Sequence, residues 1–255
     1  MKKNFFLGLL LLISNLTMNA QTQSTVCNTT GSSGRLNWVG LAHYYTGDST
    51  LKDLIGGADL VNLNSTGYAN GIINKGFHLN GNNQYYLLPN NTFIPAESFT
   101  ISMWFKIDVL NYYPVLFNSS ALGNYLKGIY AEITTAGKME WYINSGSGAE
   151  GGHILGTTTL SPSTWYHLLL IYQNDVKRTS LYINNYLEAY TVGARPDFSS
   201  TQIQSIGAFG YTNTSTSFAN FFNGTIDEVA LFNRALTQDE RAALYNAGAG
   251  KQAPY

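Results

Sequence analysis

Charge is scarce in this chain. Lys, Arg, Asp and Glu make up 11% of its 255 residues, against ~25% in an ordinary globular protein. The 14 basic and 15 acidic side chains leave a formal net charge of -1. Nucleic acid and anionic membrane surfaces are held through concentrated basic faces, so this balance excludes both as partners. The single cysteine, Cys27, cannot form an internal disulfide, and stability must come from an apolar core. Beyond the N-terminus no apolar run approaches the ~20 residues of a membrane-spanning helix. The four histidines, His43, His78, His153 and His167, are scattered. There is no Cys/His cluster with zinc spacing, no Gly-x-Ser-x-Gly elbow, and no phosphate-cradling glycine loop before a helix.

What is present begins with an address. Met1-Lys2-Lys3, the apolar run Phe5 to Leu16, and a small-residue stretch ending at Ala20 read as a secretory signal peptide over 1–20. Residues 21–35, rich in Ser, Thr and Gly, read as a flexible lead-in carrying Cys27 as a free thiol. A single domain is expected over 36–250, followed by a C-terminal tail, 251–255. The expected location is outside the cell or on its surface, with no membrane contact after signal cleavage. Asn, Ser, Thr, Gly and Tyr stand where Lys and Glu are usual, and 14% of residues are aromatic. Neutral hydrogen-bonding groups beside aromatic rings suit neutral polyhydroxylated ligands.

Period-two alternation recurs along the domain. Phe99, Ile101, Met103, Phe105 and Ile107 alternate with Thr100, Ser102, Trp104, Lys106 and Asp108, the pattern of a half-buried antiparallel strand. Similar runs fall at 39–45, 84–88, 114–117, 128–133, 138–143, 165–172, 178–183, 186–192, 203–209 and 224–232. Asn184-Asn185 between two of them predicts a two-residue hairpin turn. Thr237-Gln238-Asp239-Glu240 is a capping box opening one short helix, which Gly248 can end. The fold class that follows is all-β: an antiparallel two-sheet sandwich with one short C-terminal helix.

The closing segment, Gly224-Thr-Ile-Asp-Glu-Val-Ala-Leu-Phe-Asn-Arg-Ala-Leu236 followed by the helix, resembles the end of LamG-like jelly-roll domains of the concanavalin A-like lectin/glucanase fold group. Leu41-Ala-His-Tyr-Tyr-Thr-Gly47 with Asp53-Leu-Ile-Gly56, Ser98 to Lys106, and Thr164-Trp-Tyr-His167 match that pattern in order; Asn185 stands where the family usually has Gly. The resemblance implies a jelly roll and a structural calcium tying the early loop to the final strand, with Asp227, Asp53 and Gly57 as the matching positions. Asp48 and Asp59 lie near them in sequence.

The fold group holds lectins, adhesion modules and glycoside hydrolases, so side chains must decide. Glycosidases need two carboxylates flanking the scissile bond. Here no strand carries two acids facing the same way: Glu132 and Glu140 stand alone, Glu150 lies in a Gly-rich stretch, and Asp227-Glu228, being adjacent, point to opposite faces of a regular strand. The sheets are thus expected to hold their carboxylates apart, and the chain to be no enzyme. Candidate sugar contacts are the loop rings Tyr112, Tyr113, Tyr125 and Tyr211 and the strand rings Trp104, Tyr130 and Trp141. The expected partner is a polysaccharide or glycan, or else a cell-surface protein; a divergent glycoside hydrolase is the remaining alternative.

Overall fold

The computed structural model describes residues 37–89, 91–121, 127–145, 150–193, 195–198, 202–210 and 217–254. The expected signal peptide, the lead-in with Cys27, and the loop rings Tyr125 and Tyr211 lie outside the described residues. Ser33–Tyr255 forms one compact unit.

In chain order the strands are β1 (Leu41–Tyr45), β2 (Val61–Leu63), β3 (Gly67–Asn70), β4 (Lys75–Asn80), β5 (Tyr85–Leu88), β6 (Phe99–Ile107), β7 (Val115–Ala121), β8 (Lys127–Ile133) and β9 (Lys138–Ser145). They continue as β10 (Glu150–Thr159), β11 (Trp165–Gln173), β12 (Arg178–Ile183), β13 (Tyr186–Val192), β14 (Gln202–Ile206), β15 (Phe209–Gly210), β16 (Phe218–Ala219) and β17 (Asn223–Phe232). The helix α1 (Gln238–Tyr245) follows, ending in a 3-10 turn. One sheet runs β13-β12-β11-β6-β17-β4-β3, with β1 also paired to β17, and the other runs β10-β9-β8-β7-β14-β5-β2. Pairing is antiparallel throughout, as in a jelly-roll sandwich.

The two sheets close over one apolar layer. From β6 it takes Phe99, Ile101, Met103, Phe105 and Ile107; from β8 and β9 it takes Ile129, Ala131, Ile133, Met139, Trp141 and Ile143. At one edge of the sandwich Glu188 of β13 clasps β10, accepting from the backbone N–H and hydroxyl groups of both Thr157 and Thr158 at 2.6–2.7 Å.

Strand β6 departs from the expected half-buried form, because its other face is covered too. Thr100 Oγ1 donates to the Arg234 carbonyl (2.9 Å) and accepts from Leu236 N–H (3.1 Å). Ser102 bonds His167 Nε2 at 2.9 Å, and the rings of Trp104, His167 and Tyr245 pack against one another as a cluster. A second apolar cluster, including Tyr44, Leu169, Phe232, Leu236 and Leu244, fills the space beneath the closing segment and α1. Small polar residues on this face mark where the backbone of that segment approaches, so they read as solvent-facing in the sequence. Strands β2, β3, β4 and β10 also went unmarked by alternation; they are short or interrupted by Gly and Asn.

The capping box is formed as expected: Thr237 accepts from Glu240 N–H, and the Glu240 carboxylate reaches back to Thr237 N–H. Arg234 pins the same carboxylate at 2.7 and 2.8 Å. The helix ends at Asn246 in a left-handed conformation (φ 47°), ahead of Gly248. Residues 251–254, expected as the start of a tail, are packed: Ala253 is buried and its N–H donates to the Tyr44 hydroxyl.

At the hairpin between β12 and β13, Asn184 and Asn185 have φ of 51° and 66°, the left-handed pair a two-residue turn requires. Asn184 Oδ1 also accepts His167 N–H (2.9 Å), whereas Asn185 Oδ1 is buried without a partner. Urea denaturation should therefore find Asn185→Gly as stable as the parent or better, and Asn185→Val destabilised by ~1–2 kcal/mol; equal stability of the two variants would contradict this turn.

Candidate functional site

The two sheets differ on their outer faces. The eight-stranded sheet is covered by α1 and the closing segment; the seven-stranded sheet has an outer face that is open toward β10, where His153 and Leu155 are exposed, and buried at Asn118, Ser205, Glu132 and Glu140. On β8 and β9 the odd-numbered residues 129–133 and 139–143 go inward, so alternation turns Tyr130, Glu132, Glu140 and Tyr142 outward. Register then aligns a row across the sheet: Ser205 opposite Asn118, Asn118 opposite Tyr130, Tyr130 opposite Tyr142, and Tyr142 opposite His153. The rings of Tyr130 and Tyr142 stack at 4.5 Å and 12°, and those of Tyr142 and His153 at 4.7 Å and 22°. Phe209 closes the row edge-on against Tyr130 at 5.2 Å. The ring faces thus cover one another along the row, and what it turns outward is polar ring edges.

A second row lies beside the first. Val115 faces Glu132, Glu132 faces Glu140, and Glu140 faces Leu155. The two acids expected to stand alone are therefore cross-strand neighbours, with Cβ atoms ~4.5–5.5 Å apart by the geometry of antiparallel pairs. Both are more than nine-tenths buried. Glu140 binds His153 Nε2, and the Asn220 side chain bonds Glu132. Burial, then the Glu140 charge, push the Glu132 carboxyl up to about 7, with the Asn220 bond opposing. No strand read by itself reveals this pair; only the β8–β9 register does.

Asn220 also lines a cleft of about 390 Å³ with Gly81, Asn82, Asn111, Tyr112 and Phe221. Of the rings expected to meet ligand, Tyr112 is 75% exposed here. Trp141 is fully buried in the core and Trp104 is sealed under α1; neither reaches solvent. His167 is a core histidine, whose pKa burial lowers to about 3.

The residues matched to calcium fall into two separate places. Asp53 accepts from the N–H groups of Tyr44, Ile55, Gly56 and Ala58 and from His43 Nδ1. Burial alone would raise its pKa, but the His43 and backbone hydrogen bonds outweigh it and hold the carboxyl far below the usual range. Gly57, at φ 72°, completes that turn. Five donors thus converge on one carboxylate. Asp227 is fully buried on β17 and accepts from the N–H groups of Ile72 (2.8 Å), Ile73 (3.2 Å) and Glu228 (2.9 Å). Glu228 has φ 51° inside a bulge. This breaks the strict alternation expected of Asp227-Glu228, and the charge of Asp48 reaches both. Tyr44 lies between the two places, its N–H on Asp53 and its hydroxyl on Glu228. Burial first, then the neighbouring carboxylates, lift Asp227 and Glu228 to about 8. Among the described residues neither carboxylate forms an ion pair with a cationic side chain. Among the described residues no three His, Cys, Asp or Glu side chains form a ready metal group.

The profile of the concanavalin A-like lectin/glucanases superfamily matches residues 80–240. The chain belongs to that superfamily. Curated proteins give no match to it. Solved structures similar to this superfamily member include the binding domain of Paraclostridial mosquitocidal protein 1, at 20% identity and TM-score 0.67, over 82% of this chain and 52% of that one. Domain 4 of AbnA, an extracellular arabinanase from Geobacillus stearothermophilus in complex with arabinotriose, is 18% identical with TM-score 0.62, over 83% of this chain and 98% of that one. The binding domain of botulinum neurotoxin DC in complex with SialylT is 15% identical with TM-score 0.61. The chain spans about half the length of both toxin domains. At these identities the likeness is one of fold.

Stability should report the buried acids. Asp227, Glu228 and Glu132 titrate near 4 when unfolded and near 8, 8 and 7 when folded. The folded chain then holds more protons between pH 4 and 8, and stability falls as pH rises through that window. His167, lowered to about 3, opposes this below its unfolded value of ~6.5, one group against three. With chelator present, Tm should be lower at pH 8 than at pH 5.5, and Glu228→Gln should flatten the slope. A Tm that rises with pH over this range would show that these carboxyls are not buried.

Proposed function

We propose that this chain is an exported, non-catalytic glycan-binding domain whose site is the open face of the seven-stranded sheet. The observation that carries the reading is the stacked Tyr130–Tyr142–His153 row beside Glu132 and Glu140. It is a fixed strip of hydroxyl and imidazole groups on an otherwise low-charge surface, and sugar hydroxyls need such donors and acceptors. The arabinotriose and SialylT complexes of fold neighbours support a sugar as the ligand class. The signal-peptide pattern at 1–20 supports export.

Binding is favoured over hydrolysis although Glu132 and Glu140 are cross-strand neighbours, as a pair of glycosidase carboxylates must be near one another. Both acids are nearly sealed, and each already has a protein partner. A second reading, contact with a cell-surface protein, draws on β13, an edge strand that exposes Tyr186, Leu187, Tyr190 and Val192. A glycan array with an incubation assay separates these readings. Hits on neutral glycans are expected, with no new reducing ends, and Tyr142→Ala should weaken binding at least tenfold while keeping a folded spectrum. An array blank for every glycan would favour the protein partner, and released reducing ends would make the domain a hydrolase.

The reading includes a structural calcium at Asp227 beside Glu228, the remaining ligands being backbone carbonyls and water, rather than at Asp53 and Gly57. Bound there, the ion would neutralise buried carboxylates and so fasten β17 to the 71–73 turn and the closing segment. Millimolar calcium should raise Tm at pH 8 relative to chelator, as for any ligand that binds only the folded state, and do so less at pH 5.5. An unchanged Tm at pH 8 removes calcium from the description.

A further inference from the structure

The cleft beside the open face belongs to no element of the stacked row, yet it adjoins it. Its floor is shaped by Gly81 (φ 73°), where a Cβ would lie 2.4 Å from Asn111 Nδ2. Asn111 Nδ2 donates to the carbonyls of Gly81 (3.1 Å) and Phe221 (3.4 Å), which leaves its Oδ1 as an acceptor with no partner among the described residues. Tyr112 stands at the mouth, its ring 75% exposed and propped edge-on by Tyr113 at 4.7 Å and 81°. Tyr113 itself has φ 46°, a backbone region that bulky side chains rarely adopt. Here, in contrast to the row of stacked rings, an aromatic face is uncovered beside amide groups. This is the pairing that a sugar ring's C–H face and hydroxyls require.

The cleft is joined to the strip. Asn220 lines it, accepts from Val115 N–H at 2.8 Å through its carbonyl, and bonds Glu132 through its side chain. From Val115 the cross-strand order runs Glu132, Glu140 and Leu155. A line of cross-strand neighbours therefore leads from the cleft past the two nearly buried acids to the exposed Leu155, with successive strands ~4.8 Å apart.

We infer that the cleft is a second sugar subsite, with Tyr112 as its stacking platform, and that the ligand is a linear neutral oligosaccharide of several residues running from this cleft across the sheet. This rests on the glycan-binding reading of the open face. The buried carboxylates along the path disfavour acidic sugars.

Calorimetric titration with arabino-, xylo- and cello-oligosaccharides of one to six residues tests it. In at least one series affinity should rise tenfold or more with length before levelling. Tyr112→Ala should remove about tenfold from the longest ligand and leave the shortest ones unchanged, whereas Tyr142→Ala weakens all lengths. Because Tyr112 is exposed, its variant will fold, and Asn82→Ala provides an independent probe of the same cleft. Affinity that does not depend on length, or long-chain affinity untouched by both cleft variants, overturns the subsite while the glycan-binding reading stands. Failure of every series and of the array to bind overturns both.

Discussion

The site depends on the register of β8 against β9. Ile129, Ala131 and Ile133 meet Met139, Trp141 and Ile143 on the inward side, and burial of that set leaves the pairing no room to slip. A shift of one residue would send the three apolar pairs to solvent and draw Tyr130, Glu132, Glu140 and Tyr142 into the core. The same contacts that hold the sandwich shut thus place two tyrosines face to face and two glutamates side by side. Stability and binding geometry are set by a single alternation, read from opposite sides of the sheet.

The two sheets divide the work. In the eight-stranded sheet β6 is flanked by β11 and β17 and covered on both faces, since the chain returns after β17 to lay Leu236, Leu244 and Ala253 over it. Arg234 and the capping box fix where that return begins. On the outer side of the seven-stranded sheet Asn118, Ser205, Glu132 and Glu140 are also buried, while His153 and Leu155 on β10 are exposed. Strands β7, β8 and β9 are each paired on both sides, which holds these side chains rigidly.

Much of this was legible in the sequence, for identifiable reasons. Regular alternation marked β6, β12 and β13, the Asn-Asn turn and the capping box have local chemistry, and the closing motif carried the family. The site was less legible because its defining relations are non-local. Nothing near Glu132 in sequence signals Glu140 opposite it, and nothing near Tyr130 signals that Tyr142 will cover its ring. Trp104 and Trp141 read as ligand-facing only until the covering layers were known. The period-two rule failed at Asp227-Glu228 because Glu228 takes a left-handed conformation in a bulge, which no residue type there announces.

The scarcity of charge gives these placements their meaning. Of 15 acidic side chains, Asp53, Glu132, Glu140, Asp227, Glu228 and Glu240 are all buried, although removing a carboxylate from water is costly unless partners replace the solvent. Asp53 and Glu240 have such partners in full, in backbone amides and an arginine, and their pKa values are lowered. Asp227, Glu228 and Glu132 do not, and theirs are raised. The first group is explained by the fold alone. The second is not, and among the described residues it falls in two places, the β17 bulge and the outer side of β8 and β9, so the unbalanced electrostatics single out the same two regions that the geometry does.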